Sequence, residues 1–323
     1  MRLSLLPLAA LTLLPLMGCG EPFDSRTLVT GLRILAVKAE PPEAGPGVDV
    51  TYTALVTHPG RDGDALLYGF VACTPGLSGC LEQQEALAAA GGDEAQAQIE
   101  YQKTSMRYGI ATVSGGHALG FGANMPLPLT LLDGDDGGEG RNAQLSFFAC
   151  EADACFSEGA LSGDTSAVAD LPPEVSVLGL KRARVSTSDA PNQNPTVSRL
   201  ELIIPQGEAV AVEEGGTLAI PEGEEVSLRA VLPVGAAEAY TFLDDDGVVE
   251  ERVERMYVGW YSTVGEFQDA TSTVEVDEDG VPSAQVIFTV PEGEGSGPQQ
   301  LYVVVWDRRG GLGWLTANFK VEP

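Results

Sequence analysis

Histidine is nearly missing from this chain. Only two occur in 323 residues, His58 in VTHPGRDG and His117 in SGGHALGFG. A Ser/His/Asp triad needs a histidine beside a nucleophile, and neither context supplies one. There is no G-x-S-x-G elbow, no H-E-x-x-H and no Walker loop. Basic residues are scarce as well: 18 Lys and Arg stand against 47 Asp and Glu, for a net charge of −29. A surface so acidic excludes nucleic acid and an anionic headgroup layer as electrostatic partners and leaves cations as natural counterparts. Beyond the N-terminus no stretch reaches the roughly 18 apolar residues of a membrane-crossing helix.

What is there begins with the first twenty residues. Arg2 followed by the Leu-rich run from Leu3 to Leu16 reads as a secretion signal, too short to span a bilayer. Leu16-Met17-Gly18-Cys19 resembles the bacterial lipobox. The resemblance implies removal of residues 1–18 as a signal peptide, lipid on Cys19, and a mature chain of 305 residues with net charge −30 once Arg2 is lost. Several acyl chains on one residue hold a protein durably, because each buried methylene contributes about 0.8 kcal/mol. Gly20 stands where Asp would retain an enterobacterial lipoprotein in the inner membrane, so the outer membrane is expected, with either its periplasmic or its cell-surface face open. Residues 19–30 are expected to be the lipidated tether, and palmitate belongs to the expected modification.

The strongest organisational signal is a diverged internal repeat. VTYTALV (Val50 to Val56) alternates Val50, Tyr52, Ala54 and Val56 with Thr51, Thr53 and Leu55, the period of a strand with one buried face. VSLRAVL (Val226 to Leu232) repeats that alternation, and each stretch follows a Pro/Gly/Glu turn. YGFVACTPG (Tyr68 to Gly76) and YVGWYSTVG (Tyr257 to Gly265) match next as aromatic-rich strands. Near the end of each copy an apolar strand, a polar turn and another strand are expected, over Gln144 to Phe156 and Gln300 to Leu315. Short strands with turns between them, given twice, predict an all-β protein of two tandem sandwiches: residues 31–170 and 199–323, joined by a linker over 171–198. The first copy carries an insertion, Cys80 to Gln102, whose Ala/Glu/Gln content predicts a short helix. Within the linker Leu180 to Ser186 has strand character. The basic cluster Lys181, Arg182 and Arg184 there either docks on an acidic neighbouring face or is simply solvated.

This pattern resembles bacterial immunoglobulin-like or PKD-like extracellular modules, with LYVVVWDRRGGLGWLTANFKV as the closing F–G hairpin. LRILAVKAEPPEAGPGVDVTYTALV together with NQNP further resembles predicted lipoproteins of myxobacteria. The resemblance implies location and fold and carries no catalytic motif. With Cys19 lipidated, Cys73, Cys80, Cys150 and Cys155 remain, and an even number in an exported chain reads as disulfides with three possible connectivities. In the immunoglobulin-like sheet that the resemblance implies, Cys73 and Cys150 end antiparallel neighbours and lie on the order of 20 Å apart. The expected pairs are therefore Cys73–Cys80, at the base of the insertion, and Cys150–Cys155, closing a hairpin turn. Metal binding by the four is disfavoured by their C-x6-C and C-x4-C spacings.

Two features have the character of sites. Three acidic turns, with Asp133, Asp135 and Asp136, with Asp244, Asp245 and Asp246, and with Asp277 and Asp279, place carboxylates close enough for a hard cation such as calcium. None has EF-hand spacing, and Asp and Gly also dominate turns for backbone reasons alone. All three tryptophans fall in the second copy: Trp260 in a strand, as expected of core, and Trp306 and Trp314 about the turn Asp307 to Gly311. Those two either form a binding edge for carbohydrate or protein or pack across the hairpin. No cofactor other than calcium is suggested. The expected function is a non-enzymatic binding, adhesion or structural module of the envelope, meeting a protein or glycan through loops at the sandwich ends. The rivals are a glycan-active envelope enzyme using carboxylates and a calcium-dependent surface protein.

Overall fold

The computed structural model describes residues 25–73, 107–127, 140–157, 171–205, 209–243, 248–295 and 297–323. The first half contains β1 (Arg33–Glu40), β2 (Glu43–Ala44), β3 (Asp49–Thr57), β4 (Ala65–Cys73), β5 (Arg107–Thr112), β6 (His117–Pro126), β7 (Arg141–Glu151), the short helix α1 (Ala152–Ser157) and β8 (Ser176–Val185). They form two sheets, β1-β3-β6 and β2-β8-β7-β4-β5.

The second half opens with β9 (Arg199–Ile203), β10 (Val210–Val212), β11 (Thr217–Pro221), β12 (Glu225–Val231), β13 (Ala239–Leu243) and β14 (Val249–Val253). It continues with β15 (Tyr257–Ser262), β16 (Glu266–Phe267), β17 (Thr271–Thr273), β18 (Glu275–Val276), β19 (Pro282–Thr289), β20 (Gln299–Trp306) and β21 (Leu312–Glu322). One sheet runs β10-β9-β12-β19-β16 with β18 also on β19, the other runs β11-β21-β20-β15-β17, and β13-β14 form a separate ribbon. Among the described residues no helix is long and apolar enough to cross a membrane.

The two halves share one topology. In each, a short strand pairs in parallel with the last strand, β2 with β8 and β11 with β21, while the principal ladders are antiparallel. This is the strand order of an immunoglobulin-like sandwich, given twice. The alternation read from the sequence lines each core: Val50, Tyr52, Ala54 and Val56 are buried in the first, Val226, Leu228, Ala230 and Leu232 in the second. Each Val or Leu among them, fully buried, contributes about 1.5–3 kcal/mol. Trp260 is fully buried, with its indole N–H donating to Ser272 Oγ at 3.0 Å, so its one polar atom is satisfied.

Three expectations are corrected. β8 lies inside the span 171–198 expected to link the halves; it is the closing strand of the first sandwich, paired with β7 from Arg141↔Val185 to Cys150↔Ser176. The strand, turn and strand expected over Gln144 to Phe156 are instead β7 running directly into α1, with Asp153 in the first turn, where the helix dipole favours a carboxylate. Thus Cys150–Cys155 is bridged as expected, with Cα atoms 6.1 Å apart, but it ties a strand end to a helix. The tether expected over 19–30 is partly fixed, since Thr27 and Val29 are buried. The two sandwiches, tandem in sequence, pack side by side.

That packing follows from the two faces of β20. Leu301, Val303 and Val305 point into the core of the second sandwich, while Tyr302 and Val304 point outward. There they meet Ala36 of β1, Leu55 of β3 and Val29, with Leu35, Tyr261, Trp306, Leu312 and Trp314 packed around them. The outer face of the β1-β3-β6 sheet therefore lies on the outer face of the β20-β21 sheet, and the molecule is a stack of four sheets.

The expected pair Cys73–Cys80 and the helical insertion reach beyond the described residues, as do Cys19, Asp133, Asp135, Asp136, Asp244, Asp245 and Asp246. The register does place Cys73 opposite Gln144 and Cys150 opposite Leu67, at opposite ends of the β4-β7 ladder, as the resemblance implied.

Candidate functional site: the seam between the sandwiches

Where the two outer faces meet, one arginine joins both halves. Arg309 follows β20 in the turn that Asp307 builds: the Asp307 carboxylate accepts the N–H of Arg309 at 2.7 Å and of Gly311 at 2.9 Å. So held, the guanidinium donates to Glu254 at 2.8 Å in its own sandwich and to Glu43 at 3.2 Å in the other, and lies over the Tyr240 ring. Glu43 and Glu254 are buried at 3% and 7% exposure, so a charge-paired donor is what makes their burial tolerable.

The connecting segment completes the seam. Asn192 N–H donates to Glu43 at 2.9 Å, and its amide Nδ2 donates to Asp307 at 2.9 Å. Asn194 Nδ2 donates to the Ala39 carbonyl at 2.7 Å and to Glu40 at 2.8 Å, while its Oδ1 accepts the Leu312 N–H at 2.9 Å. NQNP is thus a stitch between sandwiches. Of the basic cluster, Lys181 docks across the seam, donating to the Gly310 carbonyl at 2.7 Å, whereas Arg184 pairs with Glu43 at 3.4 Å in its own half.

Burial sets the electrostatics. It pulls the Lys181 ammonium down to about 8, against the pull of nearby Asp307. It also raises the Glu254 carboxyl; the Glu238 N–H opposes this, Asp307 adds to it, and Arg309 resists it. Elsewhere Glu201 bridges Arg229 and Arg199; burial alone would raise its carboxyl, and these two donors outweigh it and hold it low.

Beside the stitch lies an open cleft of about 350 Å³. Trp314 forms one wall, and Lys38, Glu40, Gln193, Asn194 and Thr196 edge it. The Lys38 ammonium sits 5.2 Å over the Trp314 ring, bringing one residue from each sandwich together. Trp306 is engaged differently, stacked on Tyr257 at 6.1 Å as a cross-strand neighbour.

The remaining sequence candidates are scattered. Asp277 caps its own turn, its Oδ1 accepting the N–H of Asp279 at 3.1 Å and of Val281 at 2.8 Å. Among the described residues no group of three or more His, Cys, Asp or Glu is placed to hold a metal ion. His58 Nε2 meets Glu151 at 3.0 Å, and His117 lies edge-on to Tyr302 with Nδ1 against the Gly115 carbonyl. Arg309, Glu43 and Glu254 were not singled out from the sequence. The only sign of them was the Asp-Arg-Arg-Gly-Gly turn after β20.

These features define a protein of two immunoglobulin-like sandwiches joined by a polar and apolar seam. No protein-family model matches the chain, and no curated protein does. Among solved structures it is similar to the D0-D1 domain of intimin, at 12% identity over 90% of this chain and 99% of that one, with a TM-score of 0.21. It is also similar to dimeric latent PorU from Porphyromonas gingivalis, at 11% identity over 90% of this chain and 24% of that one, with a TM-score of 0.23. The fold assignment rests on the strand order, not on these likenesses.

Proposed function

We propose that the protein is an outer-membrane lipoprotein, held by acyl chains on Cys19, whose paired sandwiches act as a non-enzymatic binding or structural module. The observation that carries the non-enzymatic reading is how the buried carboxylates are used. Among the described residues Glu43, Glu201, Glu254 and Asp307 are buried, and each is engaged by donors of the chain itself. Carboxylate chemistry on a glycan needs two acids facing a substrate across a gap of roughly 5–10 Å. Glu43, Glu254 and Asp307 are committed to the seam and Glu201 to its own sheet, and acids so held serve rigidity. Contact with a partner falls to the cleft, where the Trp314 ring offers an apolar wall and Lys38, Glu40, Gln193 and Thr196 offer polar groups suited to an envelope protein or glycan.

The anchor is tested with Cys19→Ala, expected to lose palmitate labelling and leave the membrane fraction; a variant that keeps both removes the lipid from this reading. Protease treatment of intact cells then separates a surface module, whose domains are removed, from a periplasmic one, whose domains are spared. Trp314→Ala is expected to weaken retention at least about tenfold, a loss of about 1.4 kcal/mol, on whichever surface binds the parent, whole cells or isolated peptidoglycan.

A further inference from the structure

The segment Ser25 to Thr30 is a fixed part of the fold, and it is fixed to the second sandwich. Val29 N–H donates to the Ser262 carbonyl at 2.8 Å, Ser262 N–H donates to the Thr27 carbonyl at 3.0 Å, and Leu28 bridges Ser262 in parallel. Val29 belongs to the seam cluster with Ala36, Leu55, Tyr302 and Val304. Arg33 reinforces the arrangement, donating to the Leu28 carbonyl at 3.4 Å with its guanidinium 5.4 Å over the Tyr261 ring. The chain is therefore held by the second sandwich before it starts the first strand of the first.

Strand direction fixes what surrounds this point. β1 starts here and β3 ends here, paired through Arg33↔Thr57; in the other half β15 ends here and β20 starts here, with Ser262↔Leu301 the last pair. The turns at Pro59 to Asp64 and Ser114 to Gly116 in the first sandwich, and at Thr263 to Gly265 and Pro291 to Gly295 in the second, all lie at this end. The Arg309 turn lies at the other, one strand length away. β20 has eight residues, about 26 Å at ~3.3 Å per residue.

We propose that, in the lipid-anchored form, this shared end is the bilayer-facing surface of both sandwiches. The partner is a phospholipid headgroup layer, reached through the anchor and not by charge. The proposal rests on the reading of Cys19 as the lipidated residue. From Cys19 to Ser25 is six residues, at most about 21 Å of chain, so Ser25 and the turns around it stay near the bilayer whatever path the tether takes. Because the two sandwiches stand side by side, neither is distal. The Arg309 turn and the mouth beside Trp314 point away from the membrane.

The test uses the full-length lipoprotein floated on phosphatidylethanolamine/phosphatidylglycerol vesicles that carry a headgroup acceptor dye. A donor dye is placed by Ser114→Cys, Glu294→Cys, Val48→Cys or Val234→Cys, with the unsubstituted protein as blank. Ser114 and Glu294 mark the shared end, one in each sandwich; Val48 and Val234 mark the opposite end. The expected result is strong and equal transfer from Ser114→Cys and Glu294→Cys, and weaker, equal transfer from the other two. Strong transfer from both first-sandwich labels and weak transfer from both second-sandwich labels, or equal transfer from all four, would overturn the orientation while leaving the anchor standing. A mature protein that lacks the acyl mass and fails to float overturns the anchor, and the orientation with it.

Discussion

Arg309 Nη2 lies 3.2 Å from Glu43 Oε2, in a seam where the arginine side chain is 16% exposed and the glutamate 3%. The same guanidinium neutralises Glu254, so one cation serves two buried carboxylates from different sandwiches. Removing it takes from Glu254 the arginine of its own sandwich and from Glu43 the one across the seam. Arg309→Met is expected to cost about 3 kcal/mol or more in guanidinium denaturation, and to split a single transition into two as the halves uncouple. A loss under about 1 kcal/mol with one transition retained would show that the seam is held by its apolar part alone.

That apolar part centres on Tyr302, fully buried between sheets with its hydroxyl 3.4 Å from the Gly116 carbonyl. The distance is long for an O–H donor, so packing dominates. Tyr302→Ala is expected to cost about 3–5 kcal/mol, and Tyr302→Phe less than about 1. Thermal melts of the two variants decide it; equal losses would put the hydroxyl in charge.

Lys181 makes the seam sensitive to alkali. Its folded value near 8 lies below the ordinary 10.5. Below about 8 the lysine is charged in both states, and keeping that charge buried lowers stability. Between about 8 and 10.5 the unfolded chain keeps a proton that the folded protein has released, so this residue's contribution becomes more favourable as pH rises. The stability of the parent relative to Lys181→Met should therefore climb across that window. Parallel pH profiles would contradict it.

The bridge between Cys150 and Cys155 closes a loop of only a few residues, for which the chain-entropy model gives about 2 kcal/mol. Cys150→Ala with Cys155→Ala should lose that amount in urea titration. A larger loss would mean that the bridge also holds α1 against β7.

At Gly313 the connecting segment runs close against β21. A Cβ there would strike the Pro195 carbonyl, which is backbone and has no rotamer to yield. Gly313→Ala is expected to cost about 1–3 kcal/mol and to loosen the Asn194 stitch, seen as faster amide exchange at Leu312. Unchanged exchange there would show that Pro195 shifts freely.

Much of the fold was legible because its strands obey a period of two. β3 and β12 alternate cleanly, one face buried, and both cores follow from them. β8 was read in part, as strand character from Leu180, but its place in the first sandwich was not: its outer face carries Leu178 and Leu180 at 52% and 63% exposure, so apolar residues occupy both faces of the pattern. Three cations in the same stretch added the look of a solvated linker. α1 was missed because six residues are too few to show helical periodicity. The seam was illegible in kind, since the partners of Asn192 and Asn194 at residues 39–43 and 307–312 are distant in sequence. The side-by-side packing escaped because Tyr302 and Val304 sit among residues that are apolar on both faces, which marks burial without naming the covering surface.

The reach of the Arg309 contact also sets an order of assembly. Glu43 and Arg309 are 266 positions apart in a chain of 323 residues. As the polypeptide is made N-terminus first, the opening sandwich has every one of its strands well before Arg309, the cation across the seam from Glu43, has left the ribosome. Until then that carboxylate has Ser186, Asn192 and Arg184 for company, and the face around Ala36 and Leu55 waits uncovered. Closing so long a loop is a late and slow event. The nascent protein therefore passes through a half-finished stage in which the outer face of its first sandwich, around Ala36 and Leu55, has nothing to lie against.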